Sequence, residues 1–326
     1  MQSPMKILLR LLTALMLLGS SLAHSAEPLR IGYSDWPGWV IWEVPIEKGW
    51  FKEAGLDVKF EWFDYVASMD AFAAGKIDVV GMTNGDTLVT GSTGAKSVIF
   101  LLNDYSNGND MIIAKPGITS IEELKGKKIG VEVGFVSHLL LLNALEKNGL
   151  TEKDVELINV PTNETPQVLA SGQVDAIVAW QPSSGIALQQ VPGSKAIYTS
   201  ADEPGLIYDV YAASPNVYAT RKDDLKKLLK VWYKTVDYFY DPKTRDDAIK
   251  IMASRVGLKP EEYKQFVSGT KILTLKEAKQ YMTDSKGFKS VKGSTKISDD
   301  FNVDNKVYSK PEDIDSYIDF SLTLGM

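Results

Sequence analysis

The chain repeats itself, and this limits its fold more than any other property: the segment from Leu29 to Met82 aligns with the segment from Lys127 to Trp180. Each copy opens on a strand-like run, Leu29-Arg30-Ile31-Gly32-Tyr33 in the first and Lys128-Ile129-Gly130-Val131 in the second. A helical stretch follows and closes alike, Ile46-Glu47-Lys48-Gly49 against Leu145-Glu146-Lys147-Asn148-Gly149. Next come a second strand, Asp57-Val58-Lys59-Phe60-Glu61 against Asp154-Val155-Glu156-Leu157-Ile158, and an apolar helix with a matched exit. That exit reads Ala74-Gly75-Lys76-Ile77-Asp78-Val79 in one copy and Ser171-Gly172-Gln173-Val174-Asp175-Ala176 in the other. The intervals Gly32–Asp78 and Gly130–Asp175 differ by one residue, which unrelated βαβ units seldom match.

Gly75 and Gly172 suit helix ends in the left-handed conformation that a Cβ disfavours, and the short apolar runs after them suit buried strands. Alternating strands and helices, occurring twice, predict an α/β protein of two lobes, each a mostly parallel sheet flanked by helices. Met111–Ala114 reads as the last strand of the first lobe, and the chain is expected to return there near Tyr211–Ser214. This gives a first lobe of residues 27–115 and 212–326 and a second of residues 116–211, joined by two crossings that form a hinge. Amphipathic helices are expected over 223–241 and 244–256.

Residues 1–26 read as a secretory signal peptide: Lys6 and Arg10, the apolar run Leu11–Leu18, then the small residues around Ser21-Leu22-Ala23. The apolar run falls short of the roughly 20 residues that cross a bilayer. With no cysteine, the chain offers no lipidation site at a signal-peptide cysteine, no disulfide and no thiol nucleophile. Acidic residues outnumber basic ones by 42 to 36, and cleavage of the leader removes two of the basic residues, so no nucleic-acid partner is expected. His138 lies in an apolar helical run, too isolated for a metal centre. Ser137 beside it lacks the glycine-flanked elbow of a hydrolase. Asn103–Asp110 mixes oxygen ligands with glycine but lacks the closing glutamate of a calcium loop. No enzyme activity, cofactor or metal is expected.

The stretches Ile46–Leu56, Ala74–Val79, Ile121–Val131 and Ala170–Ala176 resemble the periplasmic substrate-binding proteins of ABC importers. The resemblance is specifically to the nitrate/sulfonate/taurine-type group, which also includes thiamine-precursor binders. It implies the type II periplasmic binding protein fold, a small-molecule ligand held between lobes, membrane permease partners, a periplasmic location and a monomer.

In open α/β sheets ligands lie outside the carboxyl ends of the strands. That rule selects Asp35, Trp36 and Trp39 after the first strand, and Asn84 and Asp86 after Val79-Val80. From the second copy it selects Glu132, Phe135, Trp180 and Gln181, with Asp209 before the return strand. Carboxylates and indoles without lysine or arginine suit a flat nitrogenous cation, paired at its edge and stacked on its face. A guanidinium, amidine or amine is therefore favoured, with sulfonate, nitrate or a pyrimidine thiamine precursor as the alternatives that the resemblance keeps open. Asp86 is also well placed to cap the following helix. An enzyme using the same cleft and a sensor subunit are the readings of other classes.

Overall fold

A computed structural model describes residues 27–326, and the expected signal peptide lies outside the described residues. Eleven strands are described: β1 Leu29–Tyr33, β2 Val58–Trp62, β3 Val79–Thr83, β4 Val98–Ser106, β5 Met111–Ala114 and β6 Lys128–Val131. The others are β7 Glu156–Asn159, β8 Ala176–Ala179, β9 Lys195–Thr199, β10 Tyr208–Ala213 and β11 Thr270–Ile272. They form one sheet of order β2-β1-β3-β10-β4-β11 and another of order β7-β6-β8-β5-β9.

The repeat is visible down to single hydrogen bonds. In the first sheet the Asp78 backbone N–H donates to the Arg30 carbonyl at 2.8 Å, and its carboxylate accepts from the Arg30 backbone and guanidinium. In the second, Asp175 does the same to Lys128, and its carboxylate also pairs with Lys115. Each aspartate thus fixes the start of its third strand against the start of its first. Gly75 and Gly172 precede them at φ values of 67° and 77°, the left-handed geometry that their place in the repeat requires.

Each sheet is mixed, not mostly parallel. The repeat supplies a parallel trio, β2-β1-β3 and β7-β6-β8, and antiparallel strands extend it. The strand next to each trio is contributed by the crossing chain: β5 enters the second sheet and β10 re-enters the first. Met111–Ala114, expected to end the first lobe, therefore belongs to the second sheet. Tyr208–Tyr211, expected in the second lobe, belongs to the first sheet. A fully apolar strand announces that it is buried on both faces but not which sheet buries it.

The crossings span residues 107–110 and 200–207 and are fastened to each other. The Ser106 and Ser200 hydroxyls lie 2.6 Å apart, the Ser200 Oγ accepts from the Gly108 N–H at 2.7 Å, and the Ser200 N–H donates to the Asp110 carbonyl at 2.9 Å. After β10 the chain stays on the first sheet, with long helices Lys222–Tyr240 and Arg245–Arg255 close to their expected bounds. Trp232 of the longer helix meets Trp42 at 4.9 Å between ring centroids, both fully buried, at the centre of an aromatic cluster with Phe51, Phe60 and Tyr211. Helix Pro260–Ser268 reaches the second lobe, where Glu262 accepts from the Gln189 amide at 3.2 Å.

Candidate functional site

The loops selected by the strand-end rule do face one another. A cavity of about 310 Å³ opens between the lobes, bounded on one side by Asp35, Asp64 and Tyr65 and on the other by Glu132, Phe135, Thr162, Asn163 and Trp180. The Trp180 indole N–H approaches Asp35 Oδ1 at 3.5 Å, and its ring stands edge-on to Tyr65 at 5.2 Å, so contacts bridge the gap. Behind these two rings lies a slot of about 10 Å³, lined by Trp36, Trp39, Thr83, Asp110, Val136 and Asp209 as well as Tyr65 and Trp180. That is room for about one water-sized group.

Tyr65 organises the wall between the two spaces. Its ring stacks on Trp39 at 5.5 Å, its hydroxyl donates to Asp86 Oδ2 at 2.5 Å, and the Thr83 N–H donates to that hydroxyl at 3.0 Å. The backbone N–H of Val136, the first residue of helix Val136–Lys147 on the opposite lobe, faces the Asp86 carboxylate and favours its charged form against burial. A helix start of this kind can receive an anion. Here one of the protein's own carboxylates, Asp86, faces it.

Asp104 and Asp209 are cross-strand neighbours on β4 and β10, a juxtaposition of like charges that ordinarily destabilises a sheet. The Trp36 indole donates to Asp104 Oδ1 at 3.0 Å, and Gly38 packs so closely on the other oxygen that a Cβ there would lie 1.9 Å from it. The pairing shifts register just beyond Asp209, where Val210 pairs with Leu102 and leaves Asn103 as an extra residue. Such a bulge re-aims side chains at the sheet end. Burial raises the proton affinity of both aspartates, and the neighbouring Asp104 carboxylate raises that of Asp209 further.

The same cause acts throughout the cleft. Burial pushes Asp110 and Glu132 each up to about 7, and Asp35 and Asp86 each up to about 6. The Thr162 hydroxyl, donating to Glu132 Oε2 at 3.2 Å, offsets only part of this. Among the described residues, neither space is lined by a lysine, arginine or histidine. Nor do these residues contain a cluster of three ligands suited to a metal ion.

Of the residues selected from sequence, Asp35, Glu132, Phe135 and Trp180 line the outer cavity, and Trp36, Trp39, Asp209 and Trp180 line the slot. Asp86 lies behind Tyr65 and does not cap its helix: Thr83 does, accepting from the Asp86 N–H at 3.1 Å. Asn84 is committed to the fold, its amide donating to Ser294 and Thr295 and its carbonyl accepting from the Tyr208 N–H. Gln181 likewise accepts from the Gly185 N–H at 3.1 Å, within the start of helix Ser183–Gln190. His138 packs in its helix and accepts from the Gly134 N–H through Nδ1. Sequence reasoning missed Tyr65 and Asp110. Tyr65 follows the carboxyl end of β2, so the strand-end rule itself could have found it.

Residues 42–245 match the family model described as NMT1/THI5 like. A Brucella abortus (strain 2308) protein named as a binding protein is 30% identical over 215 residues, covering 65% of this chain and 66% of that protein, just under two thirds of its length. The taurine-binding periplasmic protein of Escherichia coli (strain K12) is 26% identical, covering 62% of this chain and 58% of that one. The crystal structure of the periplasmic aliphatic sulphonate binding protein SsuA from Escherichia coli superposes with a TM-score of 0.75 at 20% identity, covering 90% of this chain and 92% of that one. The fold is also that of the desulfurization enzyme DSZB, with a TM-score of 0.63 at 14% identity, covering 91% of this chain and 98% of that one.

Proposed function

The chain belongs to the NMT1/THI5-like family, and we propose that within it this protein is the periplasmic solute-binding component of an ABC importer, closing its two lobes on a small nitrogenous cation. Relatives named as binding proteins, one of them periplasmic, support the transport reading. In such a receptor the ligand stabilises the closed arrangement of the lobes, and the permease distinguishes that arrangement from the open one.

The observation that carries the ligand assignment is the convergence of buried carboxylates on the gap without any lining cation among the described residues. A second ionised group held about 4 Å from a carboxylate at an effective dielectric near 20 is repelled by about 4 kcal/mol if it is an anion and attracted as strongly if it is a cation. The indole and phenol faces of Trp36, Trp39, Tyr65 and Trp180 add cation–π attraction. The names of the sulfonate- and taurine-binding relatives favour a second reading, in which the cleft takes a sulfonate. Against it stands Asp86, a buried carboxylate facing the helix N–H that a sulfonate would use.

The test is a tryptophan-fluorescence titration of the purified protein with guanidinium, methylammonium, taurine, ethanesulfonate and nitrate. Saturable one-site binding of a cation is expected. Tight binding of taurine or nitrate with no response to guanidinium or methylammonium would refute the assignment.

A further inference from the structure

Two carboxylate oxygens in the slot have no hydrogen-bond partner, Oδ2 of Asp110 and Oδ2 of Asp209, on residues only 4% and 2% exposed. A buried acceptor left unmatched is costly, and an unpaired carboxylate more so. Both residues line the same space, which is walled by indole and phenol rings. Asp110 ends the first crossing and Asp209 is the second residue of the strand that follows the second, so the two come from the two halves of the hinge.

Aromatic walls with carboxylates would by themselves also suit a quaternary ammonium. Two features oppose it. The slot holds about 10 Å³, too little for a trimethylated head, and the unmatched oxygens call for hydrogen-bond donors, which a quaternary nitrogen lacks. Resting on the cationic reading above, we infer that the slot between Asp110 and Asp209 takes one N–H-bearing cationic group, a primary ammonium or the NH₂ edge of a guanidinium or amidinium, and rejects a quaternary ammonium. The rest of the ligand lies in the outer cavity between Asp35 and Glu132, whose 310 Å³ limits it to a small body. Asp110 and Asp209 are then the residues that recognise the head, and the outer carboxylates select what is attached to it.

The test is calorimetry on the purified protein with guanidinium, methylammonium, tetramethylammonium, ethanesulfonate and calcium chloride, repeated on Asp110→Asn and Asp209→Asn. Guanidinium and methylammonium are expected to bind, tetramethylammonium at least a hundredfold more weakly. Each substitution is expected to weaken guanidinium at least thirtyfold while leaving the melting temperature of the free protein unchanged or higher, because a buried negative charge is gone. If tetramethylammonium binds within threefold of guanidinium, or both variants bind guanidinium within twofold of the parent, the slot assignment is overturned while the cationic reading stands. Calcium displacing guanidinium would overturn it in favour of a metal site. Binding of ethanesulfonate alone would end both. The methylation series needs no substitution, so it decides even if a variant fails to fold.

Discussion

Lowering the pH should loosen the ligand steeply, by an amount the cleft itself sets. Glu132 and Asp110 sit at about 7, and Asp35 and Asp86 at about 6, all raised by burial above the usual carboxylate range. A guanidinium stays charged throughout this range, so only the protein titrates. To receive a cation, a protonated carboxyl must give up its proton, and each obligatory proton makes affinity fall tenfold per pH unit below its pKa. From pH 7 to pH 5, one such proton on a group at about 7 lowers affinity about fiftyfold, roughly 2.3 kcal/mol. The free protein follows the opposite course. A group raised in the folded state contributes stability that is fully present below its unfolded value and is lost as pH rises through its folded value, here between about 4 and about 7. The free protein should therefore melt higher at pH 5 than at pH 8, and the ligand should reverse that order. Calorimetry at pH 5, 6, 7 and 8, in paired buffers of different ionisation enthalpy, counts the protons released on binding. An affinity unchanged across this range, or rising towards acid, would refute the reasoning.

Other residues give sharper local expectations. Asp78→Ala should cost about 2 kcal/mol in urea unfolding near neutral pH by stranding the Arg30 contacts, an effect fading as acid protonates the parent's Asp78, whose pKa is already lowered. Trp232→Ala should cost about 4 kcal/mol, read from the same unfolding curves, because it leaves a cavity against Trp42, the fully buried hub of the aromatic cluster. Ser200→Ala should lower stability by about 1–2 kcal/mol by unfastening the two crossings, and should speed amide exchange at Gly108. Trp180→Phe should remove much of the ligand-induced fluorescence change and weaken cation binding by about threefold to tenfold, measured by calorimetry.

The repeat made the scaffold legible because its punctuation is chemical: Gly75 and Gly172 need left-handed backbone, and Asp78 and Asp175 fix matched strands. The sheet to which an apolar strand belongs is not written in its own residues, so Met111–Ala114 was placed one crossing too early. That shift hid part of the site. Asp104 and Asp110 fall in one polar run, Asn103–Asp110, whereas the long β4 carries Asp104 into register with Asp209 and the crossing buries Asp110 beside the slot. Asp35, Glu132 and Trp180 could be found because the strand-end rule depends only on strand direction. Asn84 and Gln181 satisfied the same rule, but backbone N–H groups claim their carbonyl oxygens, and no local pattern distinguishes a polar side chain held by backbone from one free to meet a ligand.

A crystal structure of the protein grown with guanidinium and taurine together bears most directly on the central claim, that the gap is built for a cation. The account predicts guanidinium nitrogens within hydrogen-bond distance of Asp110 or Asp209, with Asp86 still facing the Val136 N–H. A sulfonate resting on that N–H, with Asp86 turned away, would contradict it.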